Sequence, residues 1–217
     1  MFLENPDEAP SNAIVTFGVL RSGSTLVYNL ARSLMLDYPV VKTHAFCHQF
    51  MDRRFIITVR DFRDAVVSLW RAHTNPESWQ LMDVPDFERQ CQETMHIVSS
   101  RDELRYYTTA WGMRRVMLRY EDFLEDWSVL FDAFEKLFEI QIPQARRNEL
   151  KESFNLEKMR SISTDLGHFS RTDMTTGIHG NHIGWVQPGQ YRHYMTERLQ
   201  ELLNQIFGDD LKMWGYE

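Results

Sequence analysis

The sequence predicts an α/β fold: a single domain whose central parallel sheet is flanked by helices. Short apolar, β-branched runs alternate with segments of helical periodicity, the pattern of strands joined by crossover helices. The run at 55–59 (FIITV) is apolar without interruption, as a strand buried on both faces must be. A glycine-containing turn follows the first strand-like run and opens the first helical segment, the strand, loop and helix order of a P-loop-type domain.

The bulk composition agrees with one domain. The chain has 217 residues and 43% hydrophobic content, enough for a sizeable core. With 24 basic and 31 acidic side chains the formal charge is -7, which argues against broad attraction to nucleic acid or an anionic membrane. Any anionic ligand must therefore be held by a local pocket. Two cysteines, Cys47 and Cys91, are too few for a disulfide framework and lack paired zinc spacing, so both read as core thiols in a reducing, cytoplasmic compartment. Residues 1–12 are polar and proline-punctuated, a flexible segment without the features of a signal peptide. No membrane-length apolar stretch occurs.

Taken in order, residues 13–17 (AIVTF) form a strand that ends at Gly18, and 24–36 carry apolar residues at helical spacing. Residues 40–42 and 55–59 are the second and third strands, and 63–71 turn helical. Residues 86–107 are mostly of helical pattern, 116–118 form a further strand, and 127–138 a helix with apolar residues three and four apart. Another helix spans 143–154, with Pro143 at its first turn. Between 161 and 190 periodicity disappears and glycines and a proline punctuate the chain, which reads as a lid or binding loop. A last helix covers 196–206.

Residues 18–25 read GVLRSGST, the phosphate-loop pattern G-x-x-x-x-G-K-[ST] with Ser24 where the lysine stands. The backbone N–H groups and the helix N-terminus can still cradle an anion, since those donors depend on chain geometry and not on side chains. Arg21 offers a permanently charged planar guanidinium three residues earlier. A Gly/Ser-rich turn between a strand and a helix also serves simply as a turn.

Arg60, at the end of the third strand, stands eight positions before Ser68, a spacing that lets a guanidinium and a hydroxyl converge on one phosphate. The alternative pairs Arg60 with Asp61 or Asp64. Lys42 and His44 lie two residues apart at the end of the second strand and can point the same way, toward the crevice beyond the strand ends. His44 is a candidate proton acceptor. Trp79, Met82, Phe87, Met95, Tyr106, Tyr107 and Trp111 read either as an apolar pocket or as core. The patterns H-x-x-C-H (His44, Cys47, His48) and H-x-x-H (His179, His182) fall outside the usual zinc spacings, and no metal site is expected. The carboxylates of Glu121, Asp122, Glu125 and Asp126 read as solvated helix-start residues.

Three of these pieces, in this order, resemble the sulfotransferase family that uses 3'-phosphoadenosine 5'-phosphosulfate: residues 20–25 (LRSGST), 42–44 (KTH), and Arg60 with 63–68 (RDAVVS). Tyr120-Glu121-Asp122 and the stretch 189–194 (GQYRHY), similar to the family's Gly-Asp-Trp-Lys, extend the likeness, as does the ending 207–216. The resemblance is to a small member of bacterial type. It implies that Arg21, Ser22, Gly23, Ser24 and Thr25 surround the 5'-phosphosulfate, that Arg60 and Ser68 bind the 3'-phosphate, and that Tyr120 sits near the adenosine. His44 is then the general base, with Lys42 and Arg21 beside the reacting group, a small-molecule or saccharide hydroxyl is the acceptor, and no metal is needed. Two departures stand out: Leu26 occupies the place of a tryptophan that stacks on adenine, and Gly184-Trp185-Val186 replaces an Arg-Lys-Gly clamp on the 3'-phosphate, for which Arg171, His179, His182 or Arg192 can substitute. Two rival readings are a magnesium- and ATP-dependent kinase with an atypical loop, and a nucleotide-binding protein of the same fold without turnover.

Overall fold

The computed structural model describes residues 10–44, 53–73, 81–89, 101–102, 104–109, 114–181, 183 and 187–216. Its described strands are β1 (Ile14–Gly18), β2 (Val40–Thr43), β3 (Arg54–Val59) and β4 (Arg114–Arg119). They form one parallel sheet in the order β2-β1-β3-β4. The register pairs Phe17 with Thr43, Gly18 with Thr58, and Val59 with Arg119, so the carboxyl ends of all four strands share one edge. The chain leaves β1 for β2 on one side and returns to β3 on the other, and an open parallel sheet binds ligands in the crevice at such a reversal.

Helices cover both faces, which explains why the strands are apolar at successive positions. On one face Val15, Phe17, Phe55, Ile57 and Val59 pack against α2 (Phe62–His73) and the C-terminal helix α9 (Glu197–Met213). On the other, Ile14, Ile56 and Leu118 meet α1 (Ser24–Leu34) and α5 (Ser128–Phe138). Between these lie the short helices α3 (Val84–Arg89), α4 (Tyr120–Glu125) and α8 (Tyr191–Tyr194), with α6 (Gln144–Ser153) and α7 (Leu156–Leu166). Met82, Phe87 and Tyr107 are buried in the first core, and Tyr107 sits 4.6 Å from the Phe17 ring. These three are core residues and not pocket lining. Trp79, Met95, Trp111, Cys47 and Cys91 lie outside the described residues, as do residues 1–9.

Three expectations change. The aperiodic stretch begins at 167, because residues 156–166 are the helix α7. Its buried face carries Met159 and Ser163, and a serine at a core-facing position masks the helical period. Asn155 caps its start by accepting from the N–H of Lys158, and Gly167 ends it at φ 70°. The last helix, expected to end at 206, runs to Met213 through Gly208, because Phe207 and Leu211 continue its buried face. Pro143 is the residue before α6 and not within its first turn. No described helix is long and apolar enough to cross a membrane.

The first core is locked by Phe62, at the start of α2, stacked on Phe207 of α9 with centroids 4.5 Å apart and planes 6° from parallel. Both rings are fully buried. Phe207→Ala should lower the free energy of unfolding by about 3–5 kcal/mol, the usual range for emptying a buried aromatic position. Urea titration measures it, and a loss below about 1 kcal/mol would show that this stack does not anchor α9.

Candidate functional site

The loop after β1 is shaped by two close approaches. A Cβ at Gly18 would lie 2.0 Å from Thr58 Oγ1, so only glycine lets β1 end this near β3. The Ser22 hydroxyl donates to the Val19 carbonyl at 2.7 Å, and having spent its one hydrogen it accepts from Thr58 Oγ1, also at 2.7 Å. Ser22 is thus an internal brace, fully buried, and does not line the cavity described next. Arg21 takes φ 71° and Gly23 φ 81°, which together turn the chain into α1. A Cβ at Gly23 would come within 2.9 Å of both Tyr120 and Phe123.

Above the strand ends opens a cavity of about 400 Å³. Arg21, Gly23, Ser24, Thr25, Leu26, Lys42, His44, Arg60, Ser68 and Tyr120 all line it. Four separate stretches of sequence therefore converge because parallel pairing brings β1, β2, β3 and β4 to one edge. No side chain caps the start of α1, so its first N–H groups face the same space as Gly23, Ser24 and Thr25.

The polar contacts fix the charged groups. Lys42 Nζ donates to Thr25 Oγ1 at 2.7 Å, and Arg21 Nε to Ser68 Oγ at 2.9 Å. Arg60 Nη1 donates to the Arg21 carbonyl at 3.0 Å, while its guanidinium lies over the Tyr120 ring, 4.3 Å from the centroid. His44 Nδ1 is 2.6 Å from the Gly18 carbonyl. A carbonyl only accepts, so Nδ1 carries the hydrogen and the neutral ring presents Nε2 as an acceptor.

The nearby carboxylates are engaged elsewhere. Asp61 holds Arg63 through both oxygens, at 2.9 and 2.7 Å, and Asp64 accepts from the N–H groups of Gly189 and Tyr191 at 2.6 and 2.9 Å. Glu121 is not merely solvated: it accepts from the Tyr216 hydroxyl at 2.7 Å and from the Asp61 N–H at 3.3 Å. Of the described residues lining the cavity, none is a carboxylate.

Crowded cations feel this imbalance. Burial, then the neighbouring Arg60, lowers the Arg21 guanidinium to about 9. Burial, then Arg21, lowers the Lys42 ammonium to about 8. His179 is also held below its ordinary value, by burial first and then by Lys42 and Arg21, against a hydrogen bond to the Phe169 carbonyl. A site with this field is complementary to a multiply charged anion.

The cavity lining is also apolar in part: Phe123, Leu124, Trp127, Phe154, Met159 and Phe169. The sequence reading missed this surface. Part of it comes from the stretch after α7, where Asn29 Nδ2 and Arg32 Nη1 hold the carbonyls of Thr176 and Thr175 at 2.7 and 2.8 Å. Phe169 stacks on His179 at 4.9 Å. Among the described residues no group of three or more histidine, cysteine or acidic side chains is placed to hold a metal ion; His48 and His182 lie outside them.

The profile of the sulfotransferase domain family matches residues 30–215. The phosphate loop precedes this span, so the loop and the match are separate observations. No curated protein matches the sequence significantly. Among solved structures, mouse sulfotransferase SULT7A1 complexed with PAP is similar over 94% of this chain and 84% of its own, with a TM-score of 0.65 and 13% identity. Retinol dehydratase in complex with androsterone and the inactive cofactor PAP is similar over 94% and 81%, with a TM-score of 0.62 and 17% identity. Its complex with retinol and PAP gives the same score and identity over 94% and 82%. These likenesses show the fold.

An anion near Lys42 favours its protonated form, so binding takes up a proton once pH exceeds the depressed value. Affinity for inorganic sulfate, measured by calorimetry, should therefore weaken as pH rises through about 8. In Lys42→Met that step should vanish. If the step persists in the variant, another group titrates there.

Proposed function

Since the chain belongs to the sulfotransferase domain family, we propose that it transfers a sulfuryl group from 3'-phosphoadenosine 5'-phosphosulfate to an acceptor hydroxyl. One observation carries this reading. A phosphate loop without its lysine shares a cavity, free of carboxylates among its described lining residues, with a second cationic group, Arg60 beside Ser68. A ligand with negative charge at both ends of a ribose suits that arrangement. The presence of PAP in the named structures of SULT7A1 and retinol dehydratase supports it.

The start of α1 and Lys42 receive the phosphosulfate, and Arg60 with Ser68 the 3'-phosphate. The base lies against the apolar wall, where Trp127 and Phe154 supply aromatic surface near Leu26. In magnesium-dependent phosphate loops the hydroxyl at the Thr25 position ligates the ion. Here that hydroxyl accepts from the Lys42 ammonium, so a fixed positive charge stands at the place where a kinase needs its metal.

Sulfuryl transfer forms a bond from the acceptor oxygen to sulfur and breaks the bond from sulfur to the oxygen bridging it to phosphorus. The acceptor proton goes to His44 Nε2, the accepting nitrogen left by the Nδ1–H bond to Gly18. Charge grows on the bridging oxygen, which becomes part of 3',5'-bisphosphoadenosine. Lys42 and the N–H groups at the start of α1 stabilise that charge more in the transition state than in the ground state.

Thermal shift separates this reading from a kinase, because a ligand specific for the native state raises apparent stability by mass action. With chelator present, 3',5'-bisphosphoadenosine should raise the melting temperature well above adenosine 5'-monophosphate. Greater stabilisation by ATP with magnesium would favour the kinase.

For the base, His44→Ala should lower turnover by about 10² to 10⁴ while leaving bisphosphate affinity within about threefold, as expected of positioned proton transfer. Turnover near that of the unmodified enzyme would remove His44 from this role.

A further inference from the structure

The substitutes that the sequence suggested for a clamp on the 3'-phosphate do not line the cavity: Arg171, His179 and Arg192 are absent from its lining, and His182 lies outside the described residues. On the donor assignment above, the placement of Arg60 then decides how well the site tells a 3'-phosphate from a bare hydroxyl.

Arg60 follows the last residue of β3 and Tyr120 follows the last of β4, and the final rung between these strands pairs Val59 with Arg119. Past that rung the backbone ladder no longer sets the spacing of the two chains, yet the Arg60 guanidinium lies 4.3 Å from the centroid of the Tyr120 ring. A side chain continues the seam. Glu121 Oε1 accepts from the Asp61 N–H at 3.3 Å, so the residue after Tyr120 holds the residue after Arg60. Glu121 Oε2 accepts from the Tyr216 hydroxyl at 2.7 Å, 95 positions later. Glu121 does not line the cavity and acts from behind it.

We propose that Tyr216 is a positioning residue for the 3'-phosphate site: through Glu121 it fixes the end of β3 against the start of α4 and so holds Arg60 over the Tyr120 ring. This rests on the donor assignment. Tyr216 is itself held on three sides. Its N–H donates to the Leu211 carbonyl at 2.8 Å, its carbonyl accepts from Arg63 Nη2 at 3.3 Å, and the Arg119 guanidinium lies 4.7 Å from its ring centroid. Trp214, two residues earlier, packs in the first core with its ring 5.4 Å from that of Phe62, the residue after Asp61. Burial, then Glu121, push the Tyr216 hydroxyl well above the ordinary tyrosine range, so it keeps its hydrogen and remains a donor. A hydroxyl donating to a carboxylate makes a strong, directional bond, and with each oxygen assigned a partner Glu121 has one orientation. Without the hydroxyl it keeps only the longer contact to the Asp61 backbone.

Calorimetric titration of the full chain with 3',5'-bisphosphoadenosine and adenosine 5'-monophosphate tests this as a ratio of affinities. Tyr216→Phe keeps the ring beside Arg119 and removes only the hydroxyl. The bisphosphate should weaken by about 10-fold, near the low end of what a hydrogen bond to a charged group contributes, and the 5'-monophosphate by less than about twofold. A merely structural role weakens both ligands equally, and that outcome overturns the proposal while leaving the donor reading intact, as does a ratio unchanged within about twofold. Glu121→Ala should give the same loss, and it serves in place of Tyr216→Phe should that variant fail to fold. Adding Tyr216→Phe to Arg60→Ala should not change the ratio further, because residues that act through one another are not additive. A further fall would show that Tyr216 acts by a route other than Arg60 and would overturn the positioning role. If the unmodified protein binds the bisphosphate no tighter than the 5'-monophosphate, the donor reading fails and this inference fails with it.

Discussion

Three cations, Arg21, Lys42 and Arg60, are brought together at one end of a parallel sheet, around a cavity whose described lining includes no acidic side chain. The rest of the structure is arranged around that imbalance. Like charges repel, and burial removes the water that would screen them, which is why Lys42 and Arg21 both fall below their ordinary values. The sign of the consequence for stability follows. Lys42 releases its proton near 8 in the folded chain but near its ordinary 10.5 when unfolded. Between these values the unfolded chain holds more protons, so stability rises with pH across that window and the ammonium burdens the fold below it. A bound anion reverses the burden, and ligand affinity and electrostatic strain are thus two descriptions of one field.

The charges are held in place mostly by neutral partners. Thr25, Ser68 and the Arg21 carbonyl orient Lys42, Arg21 and Arg60 without cancelling their charge, and the Gly18 carbonyl orients His44. Carboxylates close in sequence are diverted to structural work. Asp61 takes Arg63, and Asp64 spends both oxygens on the backbone of 189–191, tying the segment before α9 to the helix that carries Ser68. Had either carboxylate closed on Arg60, one of the three positive charges at the crevice would be cancelled and its preference for an anion would fall.

Much of this was legible in the sequence, and for identifiable reasons. Strands buried on both faces leave uninterrupted apolar runs, so β1 and β3 were visible, and parallel order then forces Gly18, Thr43, Val59 and Arg119 to one edge. The residues beyond those ends, from Arg21 to Tyr120, could be named as site candidates because the topology decides where they go. Ser22 was the exception: its hydroxyl points into the sheet, toward Thr58, and nothing in a serine's identity distinguishes a brace from a ligand. The apolar wall was hidden in the same way. Phe154, Met159 and Phe169 carry the hydrophobicity of ordinary core residues, and Met159 lies on a helix whose other buried residue is a serine.

That serine also explains how the wall is closed. Ser163 Oγ donates to the His179 carbonyl at 2.9 Å, and the Ser163 carbonyl accepts from the N–H of Asn181. The segment after α7 is folded back on the helix at this point, and a Cβ at Gly180 would meet the His168 backbone at 2.3 Å. Asn29 and Arg32 fasten its other end to α1, the helix whose start faces the cations. The apolar wall and the anion cradle are therefore attached to one rigid element. Phe169 lines the same cavity as the start of α1, and the contacts of Asn29 and Arg32 hold the segment that carries it to that helix before any ligand arrives. The fold supplies in advance a surface for the uncharged part of the ligand, while the concentrated charge selects what that part must carry.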